Sequence, residues 1–176
     1  DYIVENVGRT LDSANISYVK WDMNRHLTTV HSNALPPERQ GEAAYRHILG
    51  VYELFRWLRE LYPNAMIENC SGGGGRFDGA MLTYFPQIWC SDNTDPISRL
   101  DIQGNLSYLY PQSTFGTHVS AAPHAQTLRH TPLATRGNVS FFGCLGYELD
   151  LKHLLNVEVK EIKNQIAFYK QYRELF

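Results

Sequence analysis

The 176 residues are 43% hydrophobic and 19% charged, which excludes a disordered chain and leaves enough sequence for one domain with a sizeable core. A net charge of −2 gives no electrostatic case for a nucleic acid or an anionic membrane as partner. No apolar run approaches the ~20 residues of a membrane-spanning helix.

Residues 1–15, with Tyr2, Ile3, Val7 and Leu11 at helical spacing, read as the end of an amphipathic helix. Residues 16–22 read as a buried strand. After a polar loop carrying Pro36 and Pro37, the spacing of Tyr45, Ile48, Tyr52, Phe55 and Leu58 predicts a helix over 42–62, stopped by Pro63 and Asn64. Residues 65–70 form a second strand, followed by the glycine run Gly72 to Gly75 and a short helix near Phe77–Tyr84. A third strand covers about 87–91, and a helix opens at Pro96 with Ile97, Leu100, Leu106 and Leu109. Residues 115–119 make a weaker fourth strand and 126–135 a helical stretch. Residues 139–143 are expected to be the fifth strand, and 157–176 the last helix.

Strand and helix alternate throughout, which implies parallel strands joined by crossovers. Five strand–helix units fall short of the roughly 250 residues of a complete eight-unit barrel. The expected fold is therefore α/β, either a five-stranded open sheet or the later part of a barrel. The leading helix remnant, which would follow a preceding strand, favours the barrel, and a chain that starts without methionine and ends within a helix pattern reads as cut from something longer. The three cysteines, odd in number and each in or beside a predicted strand, point to free thiols in a reducing compartment.

Two aspartates stand at the ends of apolar runs. Asp22 closes Ile16–Trp21, and Asp92 follows Ile88-Trp89-Cys90-Ser91. A barrel places its catalytic groups at strand C-termini. A pair of carboxylates facing one pocket is the minimum needed to break a glycosidic bond. Period-two alternation puts Lys20, Asp22 and Asn24 on one side of the first strand and Trp21 on the other. Asp95, just before Pro96, is better explained as a helix cap. The glycine run lacks the Gly-Lys-Ser/Thr ending of a phosphate loop. His26 and His31, and the evenly spaced His118, His124 and His130, match no common metal-ligand spacing, so no metal is expected. His118, at a strand end, is expected in a structural, hydrogen-bonded role.

Three segments go further than pattern. Lys20-Trp21-Asp22-Met23-Asn24-Arg25, Asn69-Cys70-Ser71 through Gly75-Arg76-Phe77-Asp78, and Trp89-Cys90-Ser91-Asp92-Asn93-Thr94-Asp95 resemble, in order, signature segments of glycoside hydrolase family 36, the melibiase-type α-galactosidases. The resemblance implies a partial TIM (β/α)8 barrel from about strand four to helix eight, with residues 1–176 a single catalytic segment truncated on its N-terminal side. It implies a retaining exo-α-galactosidase acting on melibiose and raffinose-type oligosaccharides, with Asp22 as nucleophile and Asp92 as acid/base. Lys20, Asn24, Cys70 and Gly73 match the family's galactose-binding positions, with Gly72 and Arg76 as further carry-overs. Retention corresponds to carboxylates about 5–5.5 Å apart, inversion to about 6.5–9.5 Å. Asp92 must hold a proton at the start, and desolvation beside Trp89 is the expected means; Lys20 is expected to keep Asp22 ionised.

No cofactor is implied. The implied partners are a galactoside substrate, the remaining domains of a parent enzyme (a β-sandwich before the barrel and a β-domain after it) and further copies in a homo-oligomer, a tetramer in many members. The expected location is the bacterial cytoplasm. Two other readings stay open: an incomplete barrel inactive by itself, and galactosyl transfer of the raffinose-synthase kind.

Overall fold

The structure is a computed structural model that describes residues 2–24 and 27–176; Arg25 and His26, which belong to the first motif and the histidine survey, lie outside the described residues. Helix α1 (Tyr2–Asp12) leads into strand β1 (Tyr18–Asp22), and α2 (Ala43–Leu61) into β2 (Met66–Cys70). The one-turn α3 (Met81–Tyr84) precedes β3 (Gln87–Trp89), and α4 (Pro96–Leu106) precedes β4 (Phe115–Ser120). Then come α5 (Leu133–Ser140), β5 (Cys144–Glu148) and α6 (Asn156–Tyr172). The five strands pair in chain order, β1-β2-β3-β4-β5, and every pair is parallel.

This order follows from the alternation of apolar strand and amphipathic helix. Helices α2, α5 and α6 lay apolar residues on one face of the sheet, so the other face is left for residues such as Lys20 and His118. Helix α4 departs from the expected apolar stripe: it buries Pro96, Arg99 and Gln103 and leaves Ile97 and Leu100 exposed. On β1, Val19 and Trp21 turn to the helix side, where they join a core built on Phe55, Leu58, Ile67, Phe85 and Ile88. Phe55 is fully buried and meets Trp21 and Phe85 edge-on, with ring centroids 5.6 and 4.5 Å away. The buried line of α2 is Val51, Phe55 and Leu58, whereas Tyr45 and Ile48 are exposed. A second cluster of Val119, Leu133 and Ile162 packs α5 and α6 on β4.

Two expectations are corrected. Residues 139–143 are not a strand: Val139 and Ser140 end α5, and the fifth strand is Cys144–Glu148. A short apolar run fits either period. Here Val139 and Ser140 offer their carbonyls to Gln103 and Thr117, and Val139 and Phe141 are buried. The helix expected at 126–135 begins only at Leu133, after Pro132, whose extended backbone (ψ 147°) sets the start. Residues 124–129 instead form a turn closed by the backbone bonds between His124 and both Leu128 and Arg129.

Phe55→Ala is expected to cost about 3–5 kcal/mol through lost burial and the cavity left behind. Chemical denaturation measures it, and a loss under about 1 kcal/mol contradicts this account of the core.

Candidate active site

The sheet face away from the helices carries the polar and charged side chains. Parallel pairing is in register from Tyr18↔Met66 to Asp22↔Cys70, so Lys20 stands beside Glu68 and Asp22 beside Cys70. Lys20, Trp89, Asp92, His118, Tyr147 and Glu148 line a cleft of about 350 Å³ at the C-terminal ends of the strands. Asp22 stands beside Cys70 in the β1–β2 register and is not part of the wall of this cleft. Both Asp22 and Asp92 are exposed.

The loops that hold these groups are stitched together. Asn24 Oδ1 accepts the amide of Gly72 at 2.6 Å, and the Ser71 hydroxyl donates to the carbonyl of Met23 at 2.9 Å. Gly73 has φ of +78°, and a Cβ there would lie 2.7 Å from Ser91 Cα and 3.0 Å from the Asp92 nitrogen. Only glycine combines that backbone with that contact. The loop after β2 therefore touches both the residues following Asp22 and the backbone of Asp92. Arg76 closes the arrangement: its guanidinium donates to the carbonyls of Met23 and Cys70 and to Asn69 Oδ1. Its donors are directed at the chain's own loops.

Electrostatics separates the acidic groups. Lys20 pairs with Glu68 (3.5 Å) rather than with Asp22, which corrects the expected Lys20–Asp22 pair; Glu68 lies in register beside it and is 2% exposed. Glu68 also accepts from the Tyr18 hydroxyl at 2.6 Å and from the Gln87 amide at 2.5 Å. Burial, and then that bond to Glu68, pushes the Tyr18 hydroxyl up. Burial likewise raises the Cys70 thiol, opposed by the Gly73 amide and reinforced by Asp22. Burial lowers the His118 imidazole, and the Glu148 carboxylate 3.3 Å away counteracts it. His118 thus lines the cleft and also makes the structural bond expected of it.

Asp95 is a cap, as its position before Pro96 indicated. Its side chain is fully buried and accepts from the amide and hydroxyl of Ser98 at 3.1 Å, from Thr127 and from Arg129. Burial pushes its carboxyl up, but the Ser98 bonds and the Arg129 and His124 charges outweigh this and hold it below its usual value. Asp92 differs. Trp89 meets it with the polar edge, Nε1 donating to Asp92 Oδ1 at 3.0 Å, which corrects the expectation that the indole supplies an apolar screen.

Glu68, Trp89 and Glu148 were missed as site residues. The signal for Glu68 was available, because it sits two places before the strand-ending Cys70 as Lys20 sits two before Asp22. Glu148 was hidden by the misplaced fifth strand. Among the described residues no cluster of histidine, cysteine, aspartate or glutamate is arranged to hold a metal ion, and no helix is long and apolar enough to cross a membrane.

The Melibiase family model matches residues 1–176. The chain belongs to the melibiase family. It is 53% identical over 99% of its length to alpha-galactosidase AgaA of Geobacillus stearothermophilus, and 49% identical over 99% to alpha-galactosidase Mel36A of Lactobacillus acidophilus. It spans 24% of each of those relatives. The crystal structure of the GH36 enzyme AgaA superposes with a TM-score of 0.97 at 52% identity, covering 99% of this chain and 24% of that one. A variant of AgaA in complex with raffinose gives 0.96 at 52% identity, covering 98% of this chain and 24% of that one. The five parallel strands match part of the TIM-barrel region of these melibiase structures.

The ionised Asp95 contributes stability that is fully present above its ordinary value of about 3.9 and is lost as pH falls below it toward the lowered folded value. The melting-temperature gap between the protein and Asp95→Asn should therefore narrow as pH drops from 7 to about 3. A gap that stays constant or widens contradicts the cap.

Proposed function

We propose that the full-length protein carrying this chain is a retaining α-galactosidase that removes terminal α-D-galactosyl residues from melibiose- and raffinose-type oligosaccharides. The observation that carries this reading is the pair of exposed aspartates, Asp22 and Asp92, at the strand C-termini, on loops bound to each other through Gly72 and Gly73. The names of the relatives supply the substrate class: they are alpha-galactosidases, and variants of one are crystallised with raffinose and with stachyose.

In the first step, Asp92 gives its proton to the leaving glycosidic oxygen while an Asp22 oxygen attacks the anomeric carbon. The C–O bond to the aglycone breaks and a galactosyl ester on Asp22 forms. Asp92, now a carboxylate, takes a proton from water, whose oxygen displaces Asp22 and restores the α configuration. Lys20, anchored by Glu68 and set 4.6 Å over the Trp89 ring, presents its ammonium to sugar hydroxyls. In this reading Asn24, Gly72 and Gly73 belong to the loops that carry the galactose-binding groups, and the buried Cys70 stands in register beside Asp22. Arg76 serves by fixing the two loops.

Because the chain spans 24% of its curated relatives, the tests use the full-length protein. Incubation with a 2-deoxy-2-fluoro galactosyl donor and peptide mapping should place the label on Asp22; a label on any other residue overturns the assignment. Asp92→Asn should lose ~10²–10⁴ in kcat/KM on raffinose or melibiose, where the leaving group needs a proton. An activated aryl galactoside should suffer much less. Equal losses on both substrate classes contradict the acid role.

A further inference from the structure

Asp92 is exposed and follows the last residue of β3 by three positions, so the strand alone does not aim its carboxylate. Two residues do. We infer that Trp89 is a positioning residue that orients the Asp92 carboxylate for proton transfer, with Arg99 as its support. This inference rests on the reading of Asp92 as the acid/base.

The Trp89 indole N–H donates to Asp92 Oδ1 at 3.0 Å, and Trp89 is 4% exposed, so the donor is fixed by packing. Its ring is confined on several sides. The Arg99 guanidinium lies 4.6 Å from the ring centroid, and Lys20 Nζ also lies 4.6 Å from it. The His118 ring is 4.4 Å away. On β4, a Cβ at Gly116 would come within 2.8 Å of Trp89 Cε3, so the ring lies directly on backbone. A ring held by two cations, an imidazole and a strand has one place for its N–H.

Arg99 acts on the same segment from beneath. It is 2% exposed, and it donates to the carbonyl of Ser91 at 2.6 Å and to that of Asn93 at 2.7 Å, the two residues flanking Asp92. It also reaches the Gly116 carbonyl at 3.1 Å and the Cys90 sulfur at 3.0 Å, tying the segment to β4. The backbone on both sides of Asp92 is thereby fixed by one side chain, and the carboxylate itself by another that the first supports. Charge-assisted bonds from a guanidinium to two carbonyls are strong and geometrically selective.

A positioning role differs from packing in how it discriminates between leaving groups. A misaimed acid slows departure of a sugar alkoxide, which needs the proton, far more than departure of a dinitrophenolate, which does not. The test compares kcat/KM on raffinose with that on 2,4-dinitrophenyl α-galactoside, since this ratio isolates the glycosylation step. Two changes are made in the full-length protein. Trp89→Phe keeps a ring but loses the N–H; benzothienylalanine at position 89 keeps the bicyclic shape and loses only the N–H. In both, the raffinose-to-aryl ratio should fall roughly 10- to 100-fold, the scale of an ångström-sized misplacement of a catalytic group. An unchanged ratio, whether both substrates lose equally or neither does, overturns the positioning role. Asp92→Asn run alongside separates the two claims: if its own ratio is unchanged, the acid assignment fails; if its ratio falls and that of the Trp89 variants does not, only the present inference fails.

Discussion

The contact between Gly73 and the backbone of Ser91 and Asp92 is the constraint on which the site depends. At φ +78° and with 2.7 Å from a would-be Cβ to Ser91 Cα, the loop after β2 lies flat against the turn after β3. The same loop takes the Asn24 side chain on its neighbouring glycine and the Ser71 hydroxyl to Met23, so it also holds the segment after β1. Three consecutive strand ends are thereby locked to one another through their loops. Arg76 fastens the first two and Arg99 the third. Any displacement of one carboxylate-bearing loop must be passed through backbone to the other.

Burial sorts the acidic residues around this frame into two kinds. Glu68 and Asp95 are inside and partnered, Asp95 by the Ser98 bonds and Arg129, Glu68 by two hydrogen bonds to Oε2 and by the Lys20 ammonium 3.5 Å from Oε1, because an unpartnered buried carboxylate costs several kcal/mol. Asp22 and Asp92 remain exposed at the strand ends, open to solvent. The buried pair does structural work for the exposed pair: Glu68 holds Lys20 on the cleft wall, and Asp95 starts α4, the helix that delivers Arg99 beneath Asp92. The lining of the cleft, with lysine, tryptophan, histidine and two carboxylates, is suited to a polyhydroxylated ligand that offers both hydroxyls and a C–H face.

Much of this was legible in the chain. The strands at β1, β2 and β3 announce themselves as short apolar runs ending in polar loops, and the capping role of Asp95 follows from Pro96 alone. The Lys20–Asp22 alternation gives the correct face, since Trp21 packs on Phe55 while Lys20 enters the cleft. Register is what single-strand reading lacks. Lys20 has two acidic neighbours, one on its own strand and one across the ladder at Glu68, and only the pairing shows that the second is the partner. The fifth strand was misplaced because Val139-Ser140-Phe141-Phe142 is as apolar as a strand, whereas Cys144-Leu145-Gly146-Tyr147-Glu148 is diluted by its glycine. That glycine is required, since a Cβ at Gly146 would meet His118 Cδ2 at 2.5 Å. Nor does sequence reveal which edge of Trp89 faces Asp92, because that depends on β4 and on Arg99.

The central claim is that Asp22 and Asp92 act from opposite faces of one galactosyl ring at the short carboxylate separation, so that two inversions leave the configuration unchanged. Proton NMR of the anomeric region during the first minutes of hydrolysis of an aryl α-galactoside by the full-length protein tests it most directly. α-Galactose should accumulate first and convert to the β anomer only at the rate of mutarotation. β-Galactose as the first-formed product contradicts the claim.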